Sequence, residues 1–160
     1  MAVDQFIKIG DIKGESVDSK HKDSIDVSSW NWGMHQSGTM HEGGGGGSGK
    51  VAVEDLSFTH YIDKSTPPLH LACCTGKHYD KAVLTVRKAG EKPVEYLKIT
   101  MEEVLITRIT NGGNKSDDRV SETVHLNFAG FKMEYTVQNK DGTPGATVEA
   151  AFDIAEHVKK

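Results

Sequence analysis

The stretch VSETVHLNFAGFKMEYTV, residues 120–137, decides the fold because its apolar residues alternate with polar ones and then change face. The apolar residues stand at even positions from Val124 to Phe128 and at odd positions from Phe131 to Val137. A period of two predicts a β-strand, and a change of face inside one strand requires a bulge or a sharp bend. Strands that bend and change partners are typical of barrels and sandwiches.

The same alternation recurs along the chain and is separated by turn residues such as Asn111-Gly112-Gly113-Asn114 and Asp141-Gly142. It predicts further strands over residues 3–9, 24–34, 50–59, 81–87, 96–110 and 147–155. Because these strands follow one another with few helical segments between them, we expect an antiparallel arrangement.

One short helix is predicted over residues 65–76. Ser65 or Thr66 can accept hydrogen bonds from the first free amides, and Gly76 can end the helix in the left-handed conformation. Prolines are tolerated in the first helical turn, where the backbone amides lack a helical partner. An apolar stripe on this helix comprises Leu69, Ala72 and Cys73. The sequence therefore predicts a mainly β protein, an antiparallel β-barrel of two bent sheets with one short flanking α-helix and a long Gly-rich loop, in a single domain over residues 1–160.

The composition excludes several classes of protein. The 160 residues carry a net charge of −4, with a sequence pI of about 6.0, which argues against a general nucleic-acid binder. No stretch of 18 apolar residues is present, so we expect no membrane insertion, and the N-terminus lacks the basic and apolar regions of a secretory signal. The adjacent Cys73 and Cys74 are expected to be reduced thiols, since a bridge between neighbours is strained.

Candidate chemistry is sparse. Gly44 to Lys50 resembles part of a phosphate-binding loop, but Val51 replaces the Ser or Thr that would bind magnesium, and a strand rather than a helix follows. The eight histidines lack metal-ligand spacing and are expected to be surface or partly buried residues. A weaker alternative is a soft-metal site formed by Met34, His35, Met40 and His41. No arrangement of nucleophile and base is apparent, so we expect no catalytic residues, no cofactor and no required metal.

The loop over residues 36–49 is the most unusual segment. Loops of this length are uncommon unless they are functional or disordered. Five consecutive glycines cannot pack side chains against their own barrel, so we expect the loop to become ordered against a partner. These glycines are Gly43, Gly44, Gly45, Gly46 and Gly47.

Several segments together resemble the Hcp family, the haemolysin-coregulated proteins of bacterial type VI secretion. They are FIKIGDIKGES at 6–16, WNWGM at 30–34, GGGGG at 43–47, DLSFT at 55–59, YIDKSTP at 61–67, GKHY at 76–79, LTVRKAG at 84–90, EYL at 95–97 and NFA at 127–129. These segments occur in order and span nearly the whole chain. The stretch after Tyr135 is less similar to the family.

The resemblance implies a homohexameric ring that stacks into the inner tube of the secretion system. It implies as partners a VgrG-type spike, contractile sheath proteins and small effector proteins, for which the tube serves as carrier, receptor or chaperone. It also implies a protein that is cytoplasmic before assembly and then secreted without a signal peptide. The strand at Trp30, Asn31 and Trp32 would face the lumen, and the five glycines would contribute to ring stacking.

A different class of protein is the alternative: a small monomeric ligand-binding β-barrel or enzyme. Such a protein would have a buried cavity lined by aromatic residues, whereas a tube subunit would form a discrete ring and lack a closed apolar pocket.

Overall fold

Antiparallel strands make up most of the computed structural model, which describes residues 2–43 and 49–160. In chain order the elements are β1 (Val3–Ile9), β2 (Ile25–Asp26), β3 (Ser29–Asn31), β4 (Met34–His35), β5 (Ala52–Val53), β6 (Leu56–Tyr61), α1 (Thr66–Thr75), β7 (His78–Lys88), β8 (Val94–Gly112), β9 (Ser121–Gln138), β10 (Pro144–Asp153) and β11 (Val158–Lys159). The predicted class, mainly β with one short helix, is confirmed.

The long strand β9 pairs with three other strands of the main sheet. One edge pairs with β8 along almost its whole length. The other edge pairs first with β6, from Ser121 to Leu126, and then with β10, from Gly130 to Gln138. The strand that the sequence predicted at 120–137 is therefore the element to which β6, β8 and β10 are all hydrogen-bonded.

Residues 25–31 connect the opposite ends of the sheet. Strand β2 pairs with β1, β3 pairs with β6, and the amide of Ser28 between them donates to the carbonyl of Thr59 at 2.8 Å. Hydrogen bonding consequently runs from β1 through β7, β8, β9 and β6 back to this segment. The prediction of one strand over 24–34 is wrong, because the segment changes partner twice and becomes three short strands.

Strand β8 also changes face, at Glu103. Met101 and Val104 are both fully buried although they differ in parity, and Glu103 between them has a φ of 52°. The pairings with β7 and β9 both omit this residue. In β9 the change falls at Gly130, opposite Glu102, without a shift in register, and the bulge in this pair of strands lies further on, between Ile106 and Arg108.

Helix α1 has the predicted prolines in its first turn and ends at Gly76, which has a φ of 67°. The predicted N-terminal cap is wrong, since the Ser65 side chain makes no capping hydrogen bond. Ser65 itself has helical backbone angles, and its hydroxyl donates to the carboxylate of Asp63. Leu69 and Ala72 are buried against the sheet, so the predicted stripe faces the core, with Cys73 half-buried beside it.

Aliphatic side chains from β1 and from β6 to β9 fill the interior. Those with no exposed surface include Ile7, Ile9, Leu56, Leu84, Ile99 and Leu126. Core packing of this kind leaves little room for a ligand among the described residues. No helix in ranges 2–43 and 49–160 is long and apolar enough to cross a bilayer.

Candidate functional site

The tryptophan strand β3 pairs with β6 in the main sheet. Trp30 pairs with Phe58 across the strands, and its indole N–H donates to Oε1 of Gln5 at 3.0 Å. Asn31 is exposed and its carbonyl accepts a hydrogen bond from the Ser57 hydroxyl at 3.5 Å. The indoles of Trp30 and Trp32 are half-buried against the core. The surface of this segment that a partner could contact is therefore chiefly that of Asn31 and the edges of the two indoles.

Trp32 anchors the base of a hairpin. Its indole N–H donates to the carbonyl of Glu54 at 2.9 Å, and its ring meets Phe131 edge-on at 4.9 Å between centroids. The amide of Glu54 donates to the carbonyl of Gly33 at 3.0 Å, which closes the same base. Beyond it β4 and β5 pair antiparallel and form the hairpin.

The described residues on either side of the glycine run are exposed. The two arms of the hairpin stay close at Ser37 and Gly49, where the Gly49 amide donates to the Ser37 carbonyl at 3.4 Å and a Cβ on Gly49 would collide with the Ser37 hydroxyl. Met40 is 83% exposed. Gly43 is exposed, and a Cβ there would meet no atom within 4 Å. The rest of the predicted stacking loop, Gly44, Gly45, Gly46 and Gly47, lies outside the described residues.

An apolar cleft of about 530 Å³ lies between this hairpin and the C-terminal strands. Val51 and Val53 line it from the hairpin side, Phe131 and Phe152 line it from β9 and β10, and Met34, at its edge, is 45% exposed. Lys159, Lys160 and Glu149 also line it, so charges of both signs lie at its wall. This cleft opens at the surface and is separate from the filled interior, so it differs from the enclosed aromatic cavity expected of a ligand-binding barrel.

The segment between β1 and β2 is fixed by an ion cluster around Arg87 of β7. The guanidinium donates to both carboxylate oxygens of Asp18, at 3.1 and 2.5 Å, and to Asp4 at 3.0 Å. Its hydrogen bonds hold the pKa of Asp18 well below its usual range, and those carboxylates raise the pKa of Arg87. On β2, by contrast, burial first and then the charge of Asp63 raise the pKa of Asp26.

The residues considered for a metal site lie in β4 and in the loop that follows it. Met34, His35, Met40 and His41 are all exposed, and within ranges 2–43 and 49–160 no three His, Cys, Asp or Glu side chains are placed to hold a metal ion. Lys50 and Val51 lead into strand β5, not into a helix, which a phosphate-binding loop would require. Cys73 and Cys74 are free thiols.

Sequence reasoning missed one buried polar site. His60 and Glu122 are cross-strand neighbours on β6 and β9, with 1% and 0% of their surface exposed. His60 Nε2 lies 2.8 Å from a carboxylate oxygen of Glu122. The expectation of a surface or partly buried histidine is wrong at position 60. The signal was available, because His60 shares the parity of Phe58, and Glu122 shares that of Val124.

Comparison with known proteins identifies the family. The family model described as "Type VI secretion system effector, Hcp" matches residues 6–135. The protein Hcp1 of Pseudomonas aeruginosa PAO1 is 56% identical over 161 residues, which cover 99% of either chain. The chain belongs to the Hcp family of type VI secretion. The family prediction made from the sequence is thereby confirmed.

Solved structures of Hcp-family and type VI secretion proteins share this fold. Hcp1 from Salmonella typhimurium superposes with a TM-score of 0.84 at 42% identity, with all of both chains covered. A type VI secretion effector from Yersinia pestis superposes with a TM-score of 0.76 at 36% identity, covering 94% of this chain and 99% of that one. A further structure, described as a type six secretion system protein, reaches a TM-score of 0.94 at 25% identity. The functional class is therefore a secreted type VI protein of the Hcp kind, not a ligand-binding barrel.

Proposed function

We propose that this Hcp-family chain is the subunit of a secreted tube, in which homohexameric rings stack and small effector proteins travel in the lumen. The observation that carries this proposal is the hairpin β4–β5, whose described residues Met40 and Gly43 are exposed beside a body whose interior is filled. An exposed loop that packs little against its own domain gains order only at an interface.

The hairpin supplies the ring-to-ring contact in this proposal. A backbone without side chains, as at Gly43, allows another backbone to approach closely. Met40 adds an exposed apolar group beside it. The five glycines from Gly43 to Gly47 would lie against the next ring, and the strand from Trp30 to Trp32 would line the lumen.

Shortening residues 43–47 to two residues tests this role. We expect the ring and its melting temperature to be nearly unchanged, because the entropy of loop closure varies slowly with loop length. Light scattering should give a mass near six times 17.5 kDa for parent and variant. Tubes seen by electron microscopy, and secreted protein in culture medium, should both be reduced.

A variant with serine at all five positions is the matched control, because it keeps the length and adds side chains. Loss of tubes in this variant would identify close backbone approach as the requirement, whereas retained tubes would identify reach. Normal tubes from the shortened chain would contradict the stacking role, and a 17.5 kDa monomer at micromolar concentration would contradict the ring.

The spike, the contractile sheath and the effectors are proposed as further partners, and export is proposed to need no signal peptide. We also assign the chain a structural and not a catalytic role, as its family membership favours. Stoichiometric metal in the purified protein, lost together with the fold on chelation, would contradict that assignment.

A further inference from the structure

A polar network separate from the hairpin and from the tryptophan strand lies between α1 and the sheet. His70 of α1 places Nδ1 at 2.8 Å from the carbonyl oxygen of Thr66 and Nε2 at 2.8 Å from Oδ1 of Asn111 on β8. The Asn111 amide nitrogen donates to the buried carboxylate of Glu122 on β9 at 2.6 Å. The helix is thus linked to two strands through one imidazole ring.

The orientation of the Asn111 amide follows from its other partner. A carboxylate only accepts hydrogen bonds, so the amide nitrogen must face Glu122 and the amide oxygen must face His70. The Thr66 carbonyl is likewise only an acceptor. Both ring nitrogens of His70 therefore face oxygen acceptors, and only the imidazolium form, with two N–H groups, satisfies both.

The charges around His70 favour the same form. Glu122 is the acidic group that faces it from β9, with a carboxylate oxygen 3.7 Å from Nδ1. Strand β8 contributes the uncharged Asn111, and His60 of β6 reaches the other oxygen of Glu122. Asp63 lies beyond, 4.0 Å from His60 Nδ1. Helix α1 itself has no acidic residue in its first turn and no basic residue in its last.

We propose that His70 is a proton-binding switch whose imidazolium form holds α1 against the sheet and whose deprotonation loosens the helix. The ring is 42% exposed, so protons from solvent reach it without opening of the core. The apolar attachment of the helix is small, since its fully buried side chains are those of Leu69 and Ala72. The hydrogen bond with Thr66 raises the pKa of His70, followed by that with Asn111, in agreement with the geometry.

The raised pKa of His70 determines how the stability of the helix attachment changes with pH. Stabilisation by a histidine whose pKa is raised on folding is fully present below its unfolded value, about 6.5, and is lost as the pH rises through the folded value. We therefore expect α1 to be held most firmly in mildly acidic solution and to loosen in mildly alkaline solution.

Two native thiols on α1 report this change. Cys73 is half-buried against the core, whereas Cys74 is exposed. The ratio of their modification rates by a small thiosulfonate is measured on the full chain by mass spectrometry, so that Cys74 serves as the reference within each molecule. Between pH 5.5 and 8.5 the ratio of Cys73 to Cys74 should rise roughly tenfold, the equilibrium change that a charged hydrogen bond of about 1.4 kcal/mol supplies.

His70→Gln keeps hydrogen-bonding ability and removes the titration, so its ratio should be raised at pH 5.5 and should not change with pH. His78→Gln, which removes an exposed histidine just beyond the helix, should behave like the parent. A parent ratio that stays constant from pH 5.5 to 8.5 would overturn the proposal, even if His70→Gln failed to fold. An equal rise with pH in parent and His70→Gln would overturn it as well.

Discussion

Replacement of Trp32 by alanine should loosen the hairpin that carries the proposed stacking loop. Complete burial of a tryptophan is worth about 3–5 kcal/mol when the side chain is truncated to alanine. Trp32 is half-buried, so about half of that applies, a loss of about 2 kcal/mol in the free energy of unfolding. This loss of stability includes the edge-on contact of Trp32 with Phe131, worth about 1 kcal/mol, and the indole hydrogen bond, of similar size.

The assay uses denaturant unfolding followed by tryptophan fluorescence, which comes from Trp30 in the Trp32 variants and from Trp32 in a Trp30 variant. Trp32→Phe keeps the ring contact and should cost about 1 kcal/mol or less, because the exposed carbonyl of Glu54 then bonds to water. Amide hydrogen exchange should become faster at Val53 in the alanine variant. It should not change in the core amide of Leu84.

Trp30→Phe serves as the matched control, since its indole donates to Gln5 and not to the hairpin. Its stability cost should appear without faster exchange at Val53. The reasoning would be refuted if Trp32→Ala unfolded within about 0.5 kcal/mol of the parent, the spread typical of surface substitutions. Unchanged exchange at Val53 in that variant would refute it equally.

Two further predictions concern the body of the protein. Arg87→Met should lower the melting temperature at pH 7. The difference from the parent should shrink as the pH falls below about 4, because Asp18 has a depressed pKa in the folded state and its stabilisation is lost on acidification. Thermal melts at pH 7, 4 and 2.5 test this, and a difference in melting temperature that widens in acid contradicts it. Glu103→Gly should raise the unfolding free energy by up to about 1 kcal/mol, because it relieves a left-handed residue, whereas Glu102→Gly should lower it by about 0.5–1 kcal/mol. Denaturant melts of both variants decide the matter, and equal destabilisation by the two would contradict the role of the φ angle.

Much of the fold was predictable because hydrophobic periodicity is local information. Strand β1 has the predicted bounds, and α1 matches its prediction to within one residue at each end. The segment over 24–34 was not predictable in the same way. Its division into three strands follows from the partners β1, β6 and β5, which lie far apart in the chain.

The candidate site was predictable to a smaller extent. The hairpin could be predicted from the glycine run and the alternation on either side of it. The contacts of Trp32 at the base of the hairpin could not be predicted, because its hydrogen bond to Glu54 and its contact with Phe131 both join distant parts of the chain. The roles of Trp30 and Asn31 in a lumen remain predictions, since they depend on the arrangement of neighbouring subunits.

The buried pair of His60 and Glu122 shows that strand parity predicts burial but not hydrogen-bond partners. A polar residue on the buried parity of a strand must find a partner or incur a desolvation cost of several kcal/mol. Glu122 shares the parity of the buried residues of β9, and in the register between β9 and β6 it lies directly opposite His60. One histidine leaves the second carboxylate oxygen unsatisfied, and Asn111 supplies the donor for it. Because the Asn111 amide nitrogen donates to Glu122, its oxygen faces His70 and needs an N–H donor. The buried carboxylate thereby favours the protonated form of a solvent-accessible imidazole, and the attachment of α1 becomes sensitive to pH.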